Sequence, residues 1–121
     1  MEWNFRNDRP IYTQIMGQIE KAVVSGIFSP GERLPGVREL AAEASVNPNT
    51  MQRALAELET RCLLQAQRTS GRFVTEDAAL IAALREKLAL ETTGEYWGEM
   101  CALGCSPKEI EAYVKREKEG I

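Results

Sequence analysis

Between Arg33 and Arg53 the chain reads RLPGVRELAAEASVNPNTMQR. Pro35 holds Leu34 in an extended conformation, because its ring clashes with a helical residue before it. Gly36 then falls at a helix N-cap, with Glu39 three residues on. Val37, Leu40, Ala41 and Ala44 make a narrow apolar face, and Ala44-Ser45-Val46 makes a turn. Asn47 is a good cap and Pro48 a good first helical residue, since the missing proline N–H would have had no partner there. In the helix that follows, Met51, Ala54, Leu55 and Leu58 recur at inner positions. Asn49, Gln52, Arg53 and Ala56 fall on the opposite side, free to face a partner. Two short helices joined by a tight turn predict a helix-turn-helix, whose second helix lies in the DNA major groove.

Working outward, Trp3 and Phe5 alternate with polar neighbours in a lead-in that covers the core. From Pro10, the residues Ile11, Ile15, Ile19 and Val23 recur at i, i+4, predicting an amphipathic supporting helix that ends near Gly26. Ser29-Pro30-Gly31 is a turn by composition. After the second helix of the pair, Leu63-Leu64 and Phe73-Val74 flank the polar Arg68-Thr69-Ser70-Gly71-Arg72, a β-hairpin with a glycine at its tip. Cys62, at the start of this strand, reads as core. Three helices and a hairpin define a winged helix-turn-helix over residues 1–76. Residues 77–121 read as a helical tail, with Leu80, Ile81, Leu84 and Leu88 as a stripe, an interruption at Gly94, and a resumed pattern in EYWGEMCAL. Ser106-Pro107-Lys108-Glu109 has the form of a capping box opening a last helix. The fold class is mainly α with a small β-hairpin.

The 121 residues suit one compact domain with an appendage. No apolar h-region opens the chain and no apolar run reaches membrane-spanning length, so the expected location is the cytoplasm, away from membranes. The net charge is −3 and the pI about 5.1, against nucleic-acid binding if taken alone. The charge is uneven, however. Residues 77–121 carry nine acids and six bases, whereas six arginines face four glutamates between Arg33 and Arg72. The local field is what meets a phosphate. There is no histidine, which removes the commonest general base and metal ligand. With no Gly-rich phosphate loop and no nucleophile motif either, no enzyme, cofactor or metal site is expected.

Taken together, PIYTQI, SGIFSPGERLPGVRELA, VNPNTMQRALAELE and SGRFV resemble the N-terminal winged helix of the GntR family of bacterial transcription regulators. The NPNT opening and the short helical tail are similar to its YtrA subfamily. The resemblance covers about residues 8–76 and rests on several motifs in order and at family spacing. It implies a homodimer acting as a repressor on a palindromic double-stranded DNA operator. Recognition helices would lie in adjacent major grooves, with wings toward the minor groove. It also suggests control of a transporter-type operon and of the regulator's own gene. Arg38 matches the family's DNA-contacting arginine of the second helix; Asn47, Asn49, Thr50 and Arg53 fall at the head of the recognition helix; Gly71 matches the wing-tip glycine. Gly36 stands where the family usually has serine, and Pro48 where many members have arginine. A hydroxyl and a donor are thereby lost, so base reading falls to Arg38, Asn49 and Arg53.

The chemistry of these side chains agrees. Arg pairs bidentately with guanine and Asn with adenine. Thr50 near a helix N-terminus suits a phosphate, and Arg68 and Arg72 can reach phosphates or the minor groove. In the tail, Leu80, Leu84, Leu88, Tyr96, Trp97, Met100 and Leu103 are the candidate dimer interface, because a short helical pair cannot bury its stripe alone. The tail is too short for a large effector pocket. Cys101 and Cys105, spaced i, i+4, would share one helical face, a pattern open to a soft metal or to oxidation; buried small hydrophobes are the plainer alternative. The rival from another class is a winged helix that binds protein and never DNA.

Overall fold

The computed structural model describes residues 1–120. Its elements, in order, are α1 (Ile11–Val24), α2 (Val37–Ala44), α3 (Pro48–Thr60), β1 (Leu64–Gln67), β2 (Gly71–Val74), α4 (Ala78–Ala102) and α5 (Pro107–Glu119). They form two compact units, Met1–Arg85 and Glu86–Ile121.

The core of the first unit lies where α3 packs against α1, α2 and β1. Ile15 and Ile19 of α1, Leu40 of α2, Met51, Leu55 and Leu58 of α3, and Leu64 and Val74 of the hairpin are all buried in it. Fully burying each large aliphatic side chain contributes about 1.5–3 kcal/mol, so this shared cluster is what holds the recognition helix in place. Trp3 and Phe5 stack on each other, with ring centroids 6.1 Å apart, and pack on the core from outside. Gln14 and Gln18 fasten this lead-in. Their side-chain amides donate to the carbonyls of Arg6 and Asn4 and accept from the same residues' N–H groups.

The turn between α2 and α3 is a Schellman motif. Ser45 sits at φ 57°, its N–H donates to the Ala42 carbonyl, and the Val46 N–H donates to that of Ala41. α3 ends in the same way. Cys62 takes φ 66°, its N–H bonds the Glu59 carbonyl, and the Leu63 N–H bonds that of Leu58. The expectation for Cys62 is corrected here: it is exposed, not core. It occupies a left-handed turn position ahead of the strand, and the buried residue is Leu63.

β1 and β2 pair antiparallel, from Leu64 opposite Val74 to Gln67 opposite Gly71. A short third edge joins them. Arg33 bridges Phe73, the Leu34 N–H donates to the Arg72 carbonyl, and the Val74 N–H donates to that of Glu32.

α4 runs unbroken through Gly94, against the expected interruption. The residues around that glycine, Leu90-Glu91-Thr92-Thr93 and Glu95-Tyr96-Trp97, are all exposed, and a glycine's cost of about 1 kcal/mol is too small by itself to end a helix of 25 residues. Leu80, Ile81 and Leu84 are half-buried against the core of the first unit. In the second unit α4 closes with another Schellman motif, Gly104 at φ 87°. α5 opens with a complete capping box between Ser106 and Glu109.

Candidate nucleic-acid interface

The geometry of α3 decides what it can offer. Its buried residues, Met51, Ala54, Leu55 and Leu58, occupy one side, and Asn49, Gln52, Arg53 and Ala56 are exposed on the other. At 100° per residue, Asn49 and Ala56 lie at the centre of the outer face, with Gln52 and Arg53 on its two flanks. Arg53 is on the flank toward α1, where it meets Tyr12, and Gln52 is on the other flank, the side from which Glu59 pairs with Arg72 of β2. The helix opens as expected. The Asn49 N–H donates to the Asn47 side-chain oxygen at 2.8 Å, and Pro48 stands at the first position. The Asn47 side-chain oxygen Oδ1 is therefore employed as a cap, and the residue is otherwise exposed. Thr50 is half-buried beside it. Pro48 has no N–H, and those of Asn49 and Met51 are taken by the Asn47 side-chain and main-chain oxygens, so the Thr50 N–H is the first-turn donor without an i−4 partner, at the positive end of the helix dipole, which favours a phosphate.

The arginines divide by partner. Arg61 pairs with Glu57 one turn earlier. Arg72, expected to reach DNA from the wing, is half-buried and its Nε donates to the Glu59 carboxylate of α3. This contact ties the hairpin to the recognition helix. Arg53 lies over the ring of Tyr12, 3.7 Å from its centroid. Arg33, Arg38 and Arg68 are exposed with no carboxylate within ion-pair distance among the described residues. Arg38 is the second residue of α2, and Arg68 begins the wing tip. Gly71 follows that tip at φ 99°, a conformation other residues adopt only under strain. Two residues with a place on this surface were left outside the expected site. Gln52 is visible in the helical period alone; Arg33 emerges only from the way its segment folds back on β2.

Between α1 and α3 there is a cleft of about 270 Å³, lined by Tyr12, Thr13, Met16, Glu20, Arg53, Glu57 and Arg61. Its lining is largely charged, unlike the mostly apolar walls that bind small organic ligands.

The thiol expectation is corrected. α4 ends at Ala102, so Cys105 lies beyond its last turn and shares no helical face with Cys101. Cys101 is exposed and Cys105 half-buried. Among the described residues no three His, Cys, Asp or Glu side chains are grouped to hold a metal. Of the tail residues expected at an interface, Leu88 and Met100 are half-buried, and Tyr96, Trp97 and Leu103 are exposed.

A recognition helix with an open outer face, a capped first turn and an arginine-bearing hairpin beside it make a winged helix-turn-helix DNA-binding regulator. The chain belongs to the GntR family: residues 11–74 match the profile of "Bacterial regulatory proteins, gntR family". It is 36% identical to the uncharacterized HTH-type transcriptional regulator YhcF of Bacillus subtilis, over 99% of each chain. It is 41% identical to the HTH-type transcriptional repressor YtrA of the same organism, over 60% of this chain and 56% of that one. Among solved structures, a GntR family transcriptional regulator from Listeria monocytogenes aligns with a TM-score of 0.85 and 39% identity, over 93% of this chain and 98% of that one. The AraR DNA-binding domain, solved in complex with its operator ORX1, aligns with a TM-score of 0.57 and 25% identity, over 62% of this chain and 96% of that one. No helix among the described residues is long and apolar enough to cross a membrane.

Proposed function

We propose that this chain acts as a homodimeric repressor in the cytoplasm, where it occupies a palindromic operator and blocks transcription. The observation that carries this reading is the exposed outer face of α3, opening on Asn47-Pro48-Asn49-Thr50, with unpaired arginines on α2 and the wing to either side. Arg38 and Asn49 are the base readers, Arg38 for guanine and Asn49 for adenine. Thr50, through its hydroxyl and its backbone N–H at the positive end of α3, holds a phosphate. Arg68 and the tight tip at Gly71 put the wing on the backbone or in the minor groove. Arg53 works from the edge of the face, and Arg72 chiefly keeps the wing docked on α3.

The second unit supplies the dimer. Leu90 and Leu103 are 66% and 76% exposed, and Tyr96, Trp97, Tyr113 and Val114 are exposed as well. A helix pair of this length that leaves so much apolar surface in water is stabilised by a second copy, which also sets the two recognition helices at half-site spacing. Similarity to YtrA, a transcriptional repressor, supports repression as the mode of action; a transporter-type operon and the regulator's own gene are targets proposed on the family resemblance alone.

The test is a footprint on the DNA upstream of the protein's own gene, with gel shifts at graded salt and sedimentation equilibrium. A protected palindrome, a steep salt slope and a dimer are expected. Failure to bind any duplex would refute the regulator, and a monomer on DNA would refute the symmetric reading. Leu103→Glu is expected to dissociate the dimer and weaken operator binding with it.

A further inference from the structure

We infer that Arg33 is a DNA-contacting residue of the wing, delivering its guanidinium to a backbone phosphate beside the wing tip. This rests on the proposed operator binding and adds to it a residue outside both the recognition helix and the hairpin.

The backbone of Arg33 is built into the wing. Its own bridge to Phe73 is flanked by the Leu34 N–H on the Arg72 carbonyl and the Val74 N–H on the Glu32 carbonyl, each at 2.9 Å. From that anchored position the side chain runs along β2 to its first residue. A Cβ placed on Gly71 would stand 3.2 Å from Arg33 Nε and 3.6 Å from a terminal nitrogen. The guanidinium therefore lies across the bare backbone at the wing tip. Gly71 is favoured by its φ of 99°, and its bare backbone leaves room for the side chain passing over it.

Charge points the same way. The other arginine of this edge, Arg72, is committed to Glu59. Arg33 is exposed, and among the described residues no carboxylate comes within ion-pair distance of it. Glu32, its neighbour in the chain, accepts instead from the Ser29 N–H. Two uncommitted guanidinium groups, Arg33 and Arg68, thus remain at one end of the hairpin. A planar fork held on an anchored backbone suits the two oxygens of a phosphate and loses less freedom on binding than a free chain would.

Binding is measured across a salt series with a duplex that the protein itself selects from a randomised pool, and with a scrambled duplex. Arg33→Ala is expected to weaken binding to both alike and to lower the slope of log K against log salt by about one. Arg33→Lys keeps the charge and the slope. A wild-type slope and affinity in Arg33→Ala, with the helical spectrum intact, overturns the inference and leaves the regulator standing. A loss confined to the selected duplex, with the slope unchanged, means a base contact and also overturns it. No binding of any duplex by the wild type refutes the operator reading itself, and this inference with it.

Discussion

The guanidinium of Arg53 lies 3.7 Å from the centre of the Tyr12 ring, so the recognition helix is joined to α1 by a cation and an aromatic face. An arginine over a ring at an exposed site gains about 0.5–1 kcal/mol. The contact also keeps a long side chain of α3 close to the protein surface, on the α1 flank of the outer face. We expect Tyr12→Phe to be near wild type in stability. In a urea cycle of Tyr12→Leu, Arg53→Ala and the double variant, the coupling is expected at about 0.5–1 kcal/mol. Strict additivity would mean that the contact contributes nothing.

Glu59 occupies Arg72, and the pair is half-buried between α3 and the wing. Glu59→Gln removes a negative charge near the DNA surface and frees Arg72. Non-specific duplex binding is expected to tighten, with a salt slope steeper by about one. The cost in stability is expected to be no more than about 1 kcal/mol, because solvent still screens both groups. Weaker binding on a folded variant would show that docking of the wing matters more than its charge.

Arg38 and Asn49 are exposed on the face assigned to DNA. Replacement of either by alanine is expected to cost about 1–3 kcal/mol of operator affinity and to relax preference at one base position. Competition among single-base variants of the operator reads this directly. An unchanged preference in both would remove them from base reading.

Cys62 holds φ 66° at the end of α3, with its side chain in solvent. A non-glycine residue there carries strain that glycine relieves, partly offset by the greater entropy of glycine in the unfolded chain. Cys62→Gly is expected to raise stability by up to about 1 kcal/mol, seen as a higher urea midpoint at constant m. A lower midpoint would mean that the side chain makes a contact worth more than the strain.

Glu109 is held below the usual carboxylate value of 4.5 by hydrogen bonds with the Ser106 backbone and then with its hydroxyl. A depressed value in the folded state means that its contribution to α5 is present above 4.5 and lost as pH falls through the lowered value. The protection of the Lys108, Glu109 and Ile110 amides, measured against their intrinsic exchange rates at each pH, is expected to fall over that acid range. In Glu109→Gln this step disappears. Protection factors in the wild type that do not change with pH would show that the box contributes no linkage.

Much of this protein is determined by its sequence alone, because the controlling physics is local. The i, i+4 rows of α1 and α3 pick their own inner faces. Asn47-Pro48 and Ser106-Pro107 cap helices through contacts three residues or fewer away. A polar tip between apolar pairs makes the hairpin, and the family follows from these motifs in order. Tertiary structure decided the rest. Whether Arg53, Arg72 and Arg33 are free, stacked or paired depends on Tyr12, Glu59 and Gly71, which folding alone brings beside them. Cys62, which composition places in the core, is turned outward because the chain must reverse at that residue to bury Leu63. A periodic pattern shows which way a side chain points from its own element; only packing shows what waits for it there.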